Sequence, residues 1–243
     1  MINMSILAEI ALAGREHLDA VYVAAYDRKA NLDPTEDLDQ LRARGLGPAS
    51  TLIDFGAGTG TFAVAAASIC KRVVAVDVSP AMVEAIRKKA AERGARNVEP
   101  VQAGFLSYEH HRAPPDFIYT RNALHHLPDF WKGVALRRMA DLLSPGGILR
   151  LRDLVFSFDL SEAEARIATW LETKSAQRPE VGWTRGELET HLREEHSTFS
   201  WLLERLIHQA GFEIDTVDYG TVGVYADYTC LRANSETSIP TER

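Results

Sequence analysis

Between Thr51 and Val155 short apolar runs alternate with amphipathic ones, and this alternation leaves few folds open to the chain. TLIDF, RVVAVDV, NVEPVQA, PDFIYT and ILRLRDLVF read as strands; TFAVAAASIC, SPAMVEAIRKKAAERG and LPDFWKGVALRRMADLL read as helices. Strands alternating with helices give βαβ units and a parallel sheet. Right-handed crossovers then place helices on both faces, so the expected class is α/β, a doubly wound Rossmann-like sheet. The helix after RVVAVDV carries its own punctuation: Ser79 as N-cap, Pro80 at the first helical position and Gly94 beyond its end.

The flanks differ from this core. Residues 1–48 are expected to form a helical cover ahead of the first strand, and 49–156 the Rossmann-like core. Residues 157–211 carry no strand signal and are expected to be a helical lid. Ser161 with Glu164, and Thr184 with Glu187, have the capping-box spacing. A third helix is expected from near Ser197 or Thr198 to Gly211, with Phe199, Leu202, Leu203, Leu206 and Ile207 on one face. FEIDTVDYG and TVGVYADYTCLR read as a closing hairpin over 212–233, and the polar tail 234–243 as disordered.

A chain of 243 residues, 46% of them hydrophobic, suits one domain with at most a modest insertion. Its net charge of -7, with the basic clusters on mixed helix faces, argues against a nucleic-acid partner, whose phosphates demand a basic surface. No run of about 20 apolar residues is present to cross a membrane. The start lacks the basic segment of a signal peptide. Cys70 and Cys230 read as buried small hydrophobes rather than a disulfide framework. Together these features point to a cytoplasmic protein, monomer or homodimer.

The loop LIDFGAGTG places Gly56, Gly58 and Gly60 between a strand and a helix. A dinucleotide fingerprint puts its third glycine one residue later, where Thr61 stands, and no Lys-Ser/Thr pair follows to make a P-loop. An acid at the end of the next strand, Asp77, is placed to accept two ribose hydroxyls, whatever the nucleoside.

Four segments, LIDFGAGTG, VVAVDVS, DFIYTRNALHHLPD and LLSPGGILRLRD, resemble the class I S-adenosylmethionine-dependent methyltransferases over Thr51 to about Val155. The resemblance implies a seven-stranded sheet with an antiparallel last strand, and S-adenosyl-L-methionine as cofactor. It also implies roles for particular residues. Gly56, Ala57, Gly58 and Gly60 would let the backbone pass close to the ribose and methionyl part, and Asp54 would serve the amino-acid tail. Asp77 would take the ribose hydroxyls and Val78 would pack on the adenine. Where many members carry an acid for the adenine amino group, this chain has Gly104 and Phe105, whose backbone would read the ring instead. The Arg121 carbonyl and Asn122 would meet the ammonium, and Tyr22 and Tyr26 resemble tyrosines that close over the cofactor.

Methyl transfer from a sulfonium is an in-line displacement that mainly needs alignment and exclusion of water. A base is required only if the acceptor must lose a proton. The candidates are His196, ahead of the last lid helix, and His126 in ALHHL, which also reads as a packing loop. No metal is expected, because HLREEH spaces its histidines five apart instead of the four of a helical pair. An N-P-P-[YF] segment typical of adenine methylation is absent, so the acceptor is expected to be a small molecule. Two other readings stay open: a non-enzymatic module that binds the cofactor, and an enzyme moving another group from a related sulfonium.

Overall fold

The structure is a computed structural model that describes residues 7–14, 16–178 and 182–233. The tail from 234 on, expected to be disordered, lies outside the described residues, as do the first six residues of the expected N-terminal cover. Strands β1 (Thr51–Phe55), β2 (Arg72–Asp77), β3 (Val98–Gln102), β4 (Phe117–Arg121) and β5 (Ile148–Phe156) alternate with helices α3 (Thr61–Ala66), α4 (Pro80–Glu92) and α5 (Asp129–Leu142). They are followed by β7 (Phe212–Asp218) and β8 (Tyr225–Arg232). The sheet order is β3-β2-β1-β4-β5-β8-β7. The first five strands are parallel, and β8 enters antiparallel between β5 and β7. The seven-strand frame with its antiparallel closing strand is therefore the expected one.

Side chains alternate across the sheet, and the two faces collect different partners. Val73 and Ala75 of β2, with Leu52 of β1, pack beneath Phe62, Ala66 and Ile86. Val74 and Val76, with Ile53 and Phe55, face Leu136 and Met139 of α5 on the other side. Ser79 caps α4 as expected, its Oγ accepting the Met82 N–H at 3.2 Å. Cys70 and Cys230 are buried free thiols.

The N-terminal cover contains α1 (Ala20–Ala30) and α2 (Thr35–Arg42). α2 is fixed to the sheet by a buried charge. Asp37 accepts from the Tyr119 hydroxyl at 2.8 Å, from Arg121 at 3.0 Å and from Arg150 Nε at 3.1 Å.

The segment from 157 to 211 departs from expectation in two places. Thr198–Phe199 form a short strand, β6, parallel to the end of β5, so the following helix, α8 (Ser200–Gln209), starts at Ser200. Pairing with Val155 and Phe156 takes these two residues out of the helical pattern that their spacing suggested. Its Leu203 and Ile207 belong to the main core cluster. The other two helices, α6 (Ala163–Lys174) and α7 (Arg185–Glu194), form a separate small cluster built on Trp170, Leu171 and Leu188. The capping box at Thr184 and Glu187 is present. Ser161 instead lies inside a 3₁₀ turn capped by Asp159.

Candidate active site

The carboxyl ends of the parallel strands open into a cavity of about 400 Å³. It lies where the strand order reverses, with β1 between β2 and β4, the place where open α/β sheets hold ligands. Gly56 and Gly58 follow β1, Asp77 and Val78 end β2, Gly104 and Phe105 follow β3, and Asn122 follows β4; all line the cavity. Tyr22 and Tyr26 of α1 also line it. Asn122 has φ +50°, a left-handed conformation uncommon for any residue but glycine, and its N–H donates to the Arg152 carbonyl at 2.8 Å.

The three glycines divide by role. Gly56, Gly58 and Gly60 all have positive φ, which only glycine adopts at little cost. A Cβ on Gly56 would stand 2.3 Å from the Ala123 Cβ, so the β1 and β4 loops touch there. A Cβ on Gly60 would meet Ile86 of α4 at 3.0 Å, and Gly60 does not line the cavity. Gly60 thus packs closely against α4, outside the cavity lining. Gly58 has nothing nearer than Tyr26, at 3.8 Å, where its Cβ would be.

Asp77 uses both carboxylate oxygens locally: Oδ2 accepts the Gly58 N–H at 2.8 Å and Oδ1 the Ser79 N–H at 2.9 Å. Burial pushes its carboxyl up to about 6 even against these two donors. Asp54 lies behind the loop and outside the lining, with Oδ2 buried and without a hydrogen-bond partner among the described residues. Burial first, and then the charges of Asp77 and Asp37, raise it far above the usual carboxylate range. Ala57, Arg121 and His196 are likewise not brought to the cavity. The Arg121 guanidinium is held by Asp37. His196 turns its backbone to other partners, its N–H donating to the His125 carbonyl at 2.9 Å and its carbonyl accepting from Lys132.

The place of the missing acid after β3 is filled from elsewhere in the chain. Glu9, in a 3₁₀ turn over Glu9–Leu12, lines the cavity and accepts from the backbone N–H groups of Leu106 and Ser107, each at 3.1 Å. Burial raises its carboxyl, and these donors offset the rise only in part. No spacing in the sequence announces this contact, because 97 positions separate Glu9 from Leu106.

The far end of the cavity is lined by His17, His125, His126, His191, Glu187 and Glu195, with Trp183. Trp183 is the one tryptophan of the lid segment that lines the cavity; Trp170 is fully buried in the lid cluster and Trp201 is exposed. His125 Nδ1 is hydrogen-bonded to Asp153, whose other oxygen accepts the His125 backbone N–H at 2.9 Å. Burial disfavours the charged imidazole, yet Asp153 and Glu195 outweigh it and push His125 up to about 9. His126 is pushed down to about 3 by burial and by its charged neighbour. Burial would raise Glu195, but His125 and His191 hold it far below the usual carboxylate range. His191 and Glu195 stand four apart at the end of α7, so a helical pair was readable in HLREE one residue short of the one considered.

α1 ties the two ends together. Lys89 of α4 binds Asp27 at 2.7 Å, and Asp27 also holds the Thr59 hydroxyl of the glycine loop. Two residues on, Lys29 pairs with Glu187 of α7 and lies 4.5 Å from the centre of the Trp183 ring.

Comparison with known proteins agrees with this geometry. A family described as "Methyltransferase domain" matches residues 52–147. An uncharacterized methyltransferase of Exiguobacterium sibiricum is 31% identical over 185 residues, 76% of this chain and 77% of that protein. Another, from Geobacillus kaustophilus, is 30% identical over 59% of this chain and 69% of its own length. Among solved structures, a SAM dependent methyltransferase from Aquifex aeolicus superposes with a TM-score of 0.61 at 18% identity, over 88% of this chain and 99% of that one. The chain belongs to a family of methyltransferases, and its fold is that of the SAM dependent methyltransferase from Aquifex aeolicus. No described helix is long and apolar enough to cross a membrane.

Proposed function

We propose that the chain methylates a small molecule held between the glycine loop and α7, beneath a lid formed by α6 and α7. The observation that carries this reading is one cavity with two unlike ends: Gly58 and Asp77 at one, and Trp183, His126 and Glu195 at the other. The first end fits the cofactor. Asp77 keeps oxygen lone pairs free beyond its two backbone donors, as a ribose diol requires. The partnerless Asp54 oxygen, outside the lining, would reach a cationic amino-acid tail through water. Glu9 takes the role of the acid missing after β3 and receives the adenine amino group. Tyr26, Val78, Phe105 and Asn122 complete this end.

S-adenosyl-L-methionine brings an electrophilic methyl group and its own thioether leaving group. The chain is left to align the acceptor and exclude water, which Tyr22, Tyr26 and the lid do by covering the cavity. His126 stays neutral at physiological pH and offers the acceptor an unprotonated imidazole. No lysine or arginine lines the cavity among the described residues, which favours a neutral or cationic acceptor and disfavours a nucleic acid. We divide the chain accordingly into a cover to residue 48, a core over 49–156 joined by α8 and the closing hairpin, and the α6–α7 lid.

Calorimetric titration with S-adenosylmethionine, S-adenosylhomocysteine and NADH in parallel tests the reading. Micromolar binding of the first two and none of NADH is the expected result. Binding of NADH alone would overturn it. Trapped turnover of amine, hydroxyl and thiol libraries then identifies the acceptor class.

A further inference from the structure

At the acceptor end, three side chains from two distant segments converge on one point. His125 and His126 come from the loop after β4, and Glu195 ends α7. One ligand-type atom from each lies within 4.8 Å of the others. Three imidazole nitrogens surround a single oxygen, Glu195 Oε2: His191 Nδ1 at 2.5 Å, His125 Nε2 at 2.9 Å and His126 Nδ1 at 3.9 Å. His191 and His125 pair with it, whereas His126 Nδ1 is buried without a hydrogen-bond partner among the described residues. A buried imidazole nitrogen left without a partner is a poor use of a polar group. A cation shared with His125 Nε2 and the Glu195 carboxylate would give that nitrogen a partner.

We propose that His125 Nε2, His126 Nδ1 and the Glu195 carboxylate bind a divalent transition-metal ion of the zinc class, with its open position facing the cavity. Two imidazoles and one carboxylate are the protein ligand set of catalytic zinc sites that keep a position for water or substrate. Ligands of one tetrahedral zinc, at about 2.0–2.1 Å from the ion, lie about 3.3 Å apart. The three donor atoms, within 4.8 Å of one another, are close to that spacing. Outer partners are in place as well. Asp153 holds His125 Nδ1 and leaves Nε2 for the metal, the carboxylate–histidine–metal pattern. His191 fixes Glu195, and Ser197 in turn holds His191 Nε2 at 2.8 Å. Imidazole donors disfavour magnesium and calcium, which want oxygen. An acceptor hydroxyl or thiol reaching this end of the cavity would meet the open position. The site itself needs neither the cofactor nor an identified acceptor.

The test uses the full chain stripped with a chelator and titrated with zinc chloride by calorimetry, with magnesium chloride as control. Cobalt chloride is followed in parallel by its visible absorption. One zinc per chain, no magnesium uptake, and cobalt bands of a low-coordinate site are expected. His126→Ala and Glu195→Gln, each checked by circular dichroism, are expected to lower zinc affinity more than tenfold. Asp153→Asn is expected to lower it about 10- to 100-fold, as loss of an outer partner does. Absence of zinc binding by the wild-type chain, or binding undiminished in both His126→Ala and Glu195→Gln, overturns the site. Titration of the stripped chain with S-adenosylmethionine separates this outcome from failure of the cofactor reading, since that binding is expected with or without zinc.

Discussion

The Glu9 carboxylate fills the space beside Gly104: a Cβ on Gly104 would lie 2.3 Å from Glu9 Oε1 and 2.5 Å from Oε2. A side chain at 104 and the carboxylate of Glu9 thus compete for one place. Glu9→Ala and Gly104→Asp are each expected to weaken S-adenosylmethionine binding about ten- to hundredfold, the effect of losing or displacing a charged hydrogen-bond acceptor. The double variant is expected to recover most of the loss, because the acid then stands on the loop itself. Calorimetry on the four proteins decides it; a double variant no better than the weaker single would remove Glu9 from the adenine site.

Asp77 gives the cofactor site a pH dependence of definite sign. Burial pushes its carboxyl up to about 6, and ribose hydroxyls bind the carboxylate better than the acid. Below that value a proton must leave before the ligand binds, so affinity is lost as pH falls. Between pH 7 and pH 5 the loss is expected to be about tenfold by linkage. Asp77→Asn should bind weakly and flatten this segment of the profile. A wild-type profile flat from 7 to 5 would show that Asp77 does not meet the ligand.

Gly58 and Gly60 are expected to separate in a pair of alanine substitutions. Gly60→Ala forces a side chain onto φ +80° and against Ile86, at a cost of about 1–3 kcal/mol. For a domain of this size that is a fall in Tm of roughly 2–4 °C per kcal/mol, with cofactor affinity little changed. Gly58→Ala places its methyl group toward Tyr26 on the cavity wall, so affinity is expected to fall as well. Thermal melts with and without S-adenosylmethionine measure both; a larger affinity loss for Gly60→Ala would reverse the roles.

Asp37 accepts from Tyr119, Arg121 and Arg150 under α2, while Arg150 also reaches Asp227 at 3.0 Å. Removing one partner of a buried ion pair leaves the other uncompensated and costs about 3–5 kcal/mol. Asp37→Ala is expected to show a loss of that size in urea denaturation. A change below about 1 kcal/mol, the range of exposed pairs, would mean that water reaches these groups.

The fold was legible because its signals are local. β2 followed by Ser79, Pro80 and a run ending at Gly94 declares a strand, a cap and a stop within 23 residues, 72–94. The grouping of Gly58, Asp77 and Asn122 in one cavity was legible for the same reason: they sit at strand ends, and a parallel sheet brings strand ends together. Thr198 and Phe199 misled because their apolar spacing fits a helix, while pairing with β5, a non-local contact, made them a strand.

What the sequence determined by itself was the order of strands and helices, the caps, the glycine loop and the acid at Asp77, each set by neighbours along the chain. Only the tertiary structure decided that Glu9 reaches the loop after β3, that His196 lies outside the cavity lining, and that His125, His126 and Glu195 come within 4.8 Å of one another. The spacing of HLREEH gave no metal motif, since the donors come from two segments about 70 residues apart. Such meetings depend on how the cover and the lid dock against the sheet. That docking is fixed by buried surface and by pairs such as Lys29 with Glu187, contacts that no local pattern encodes.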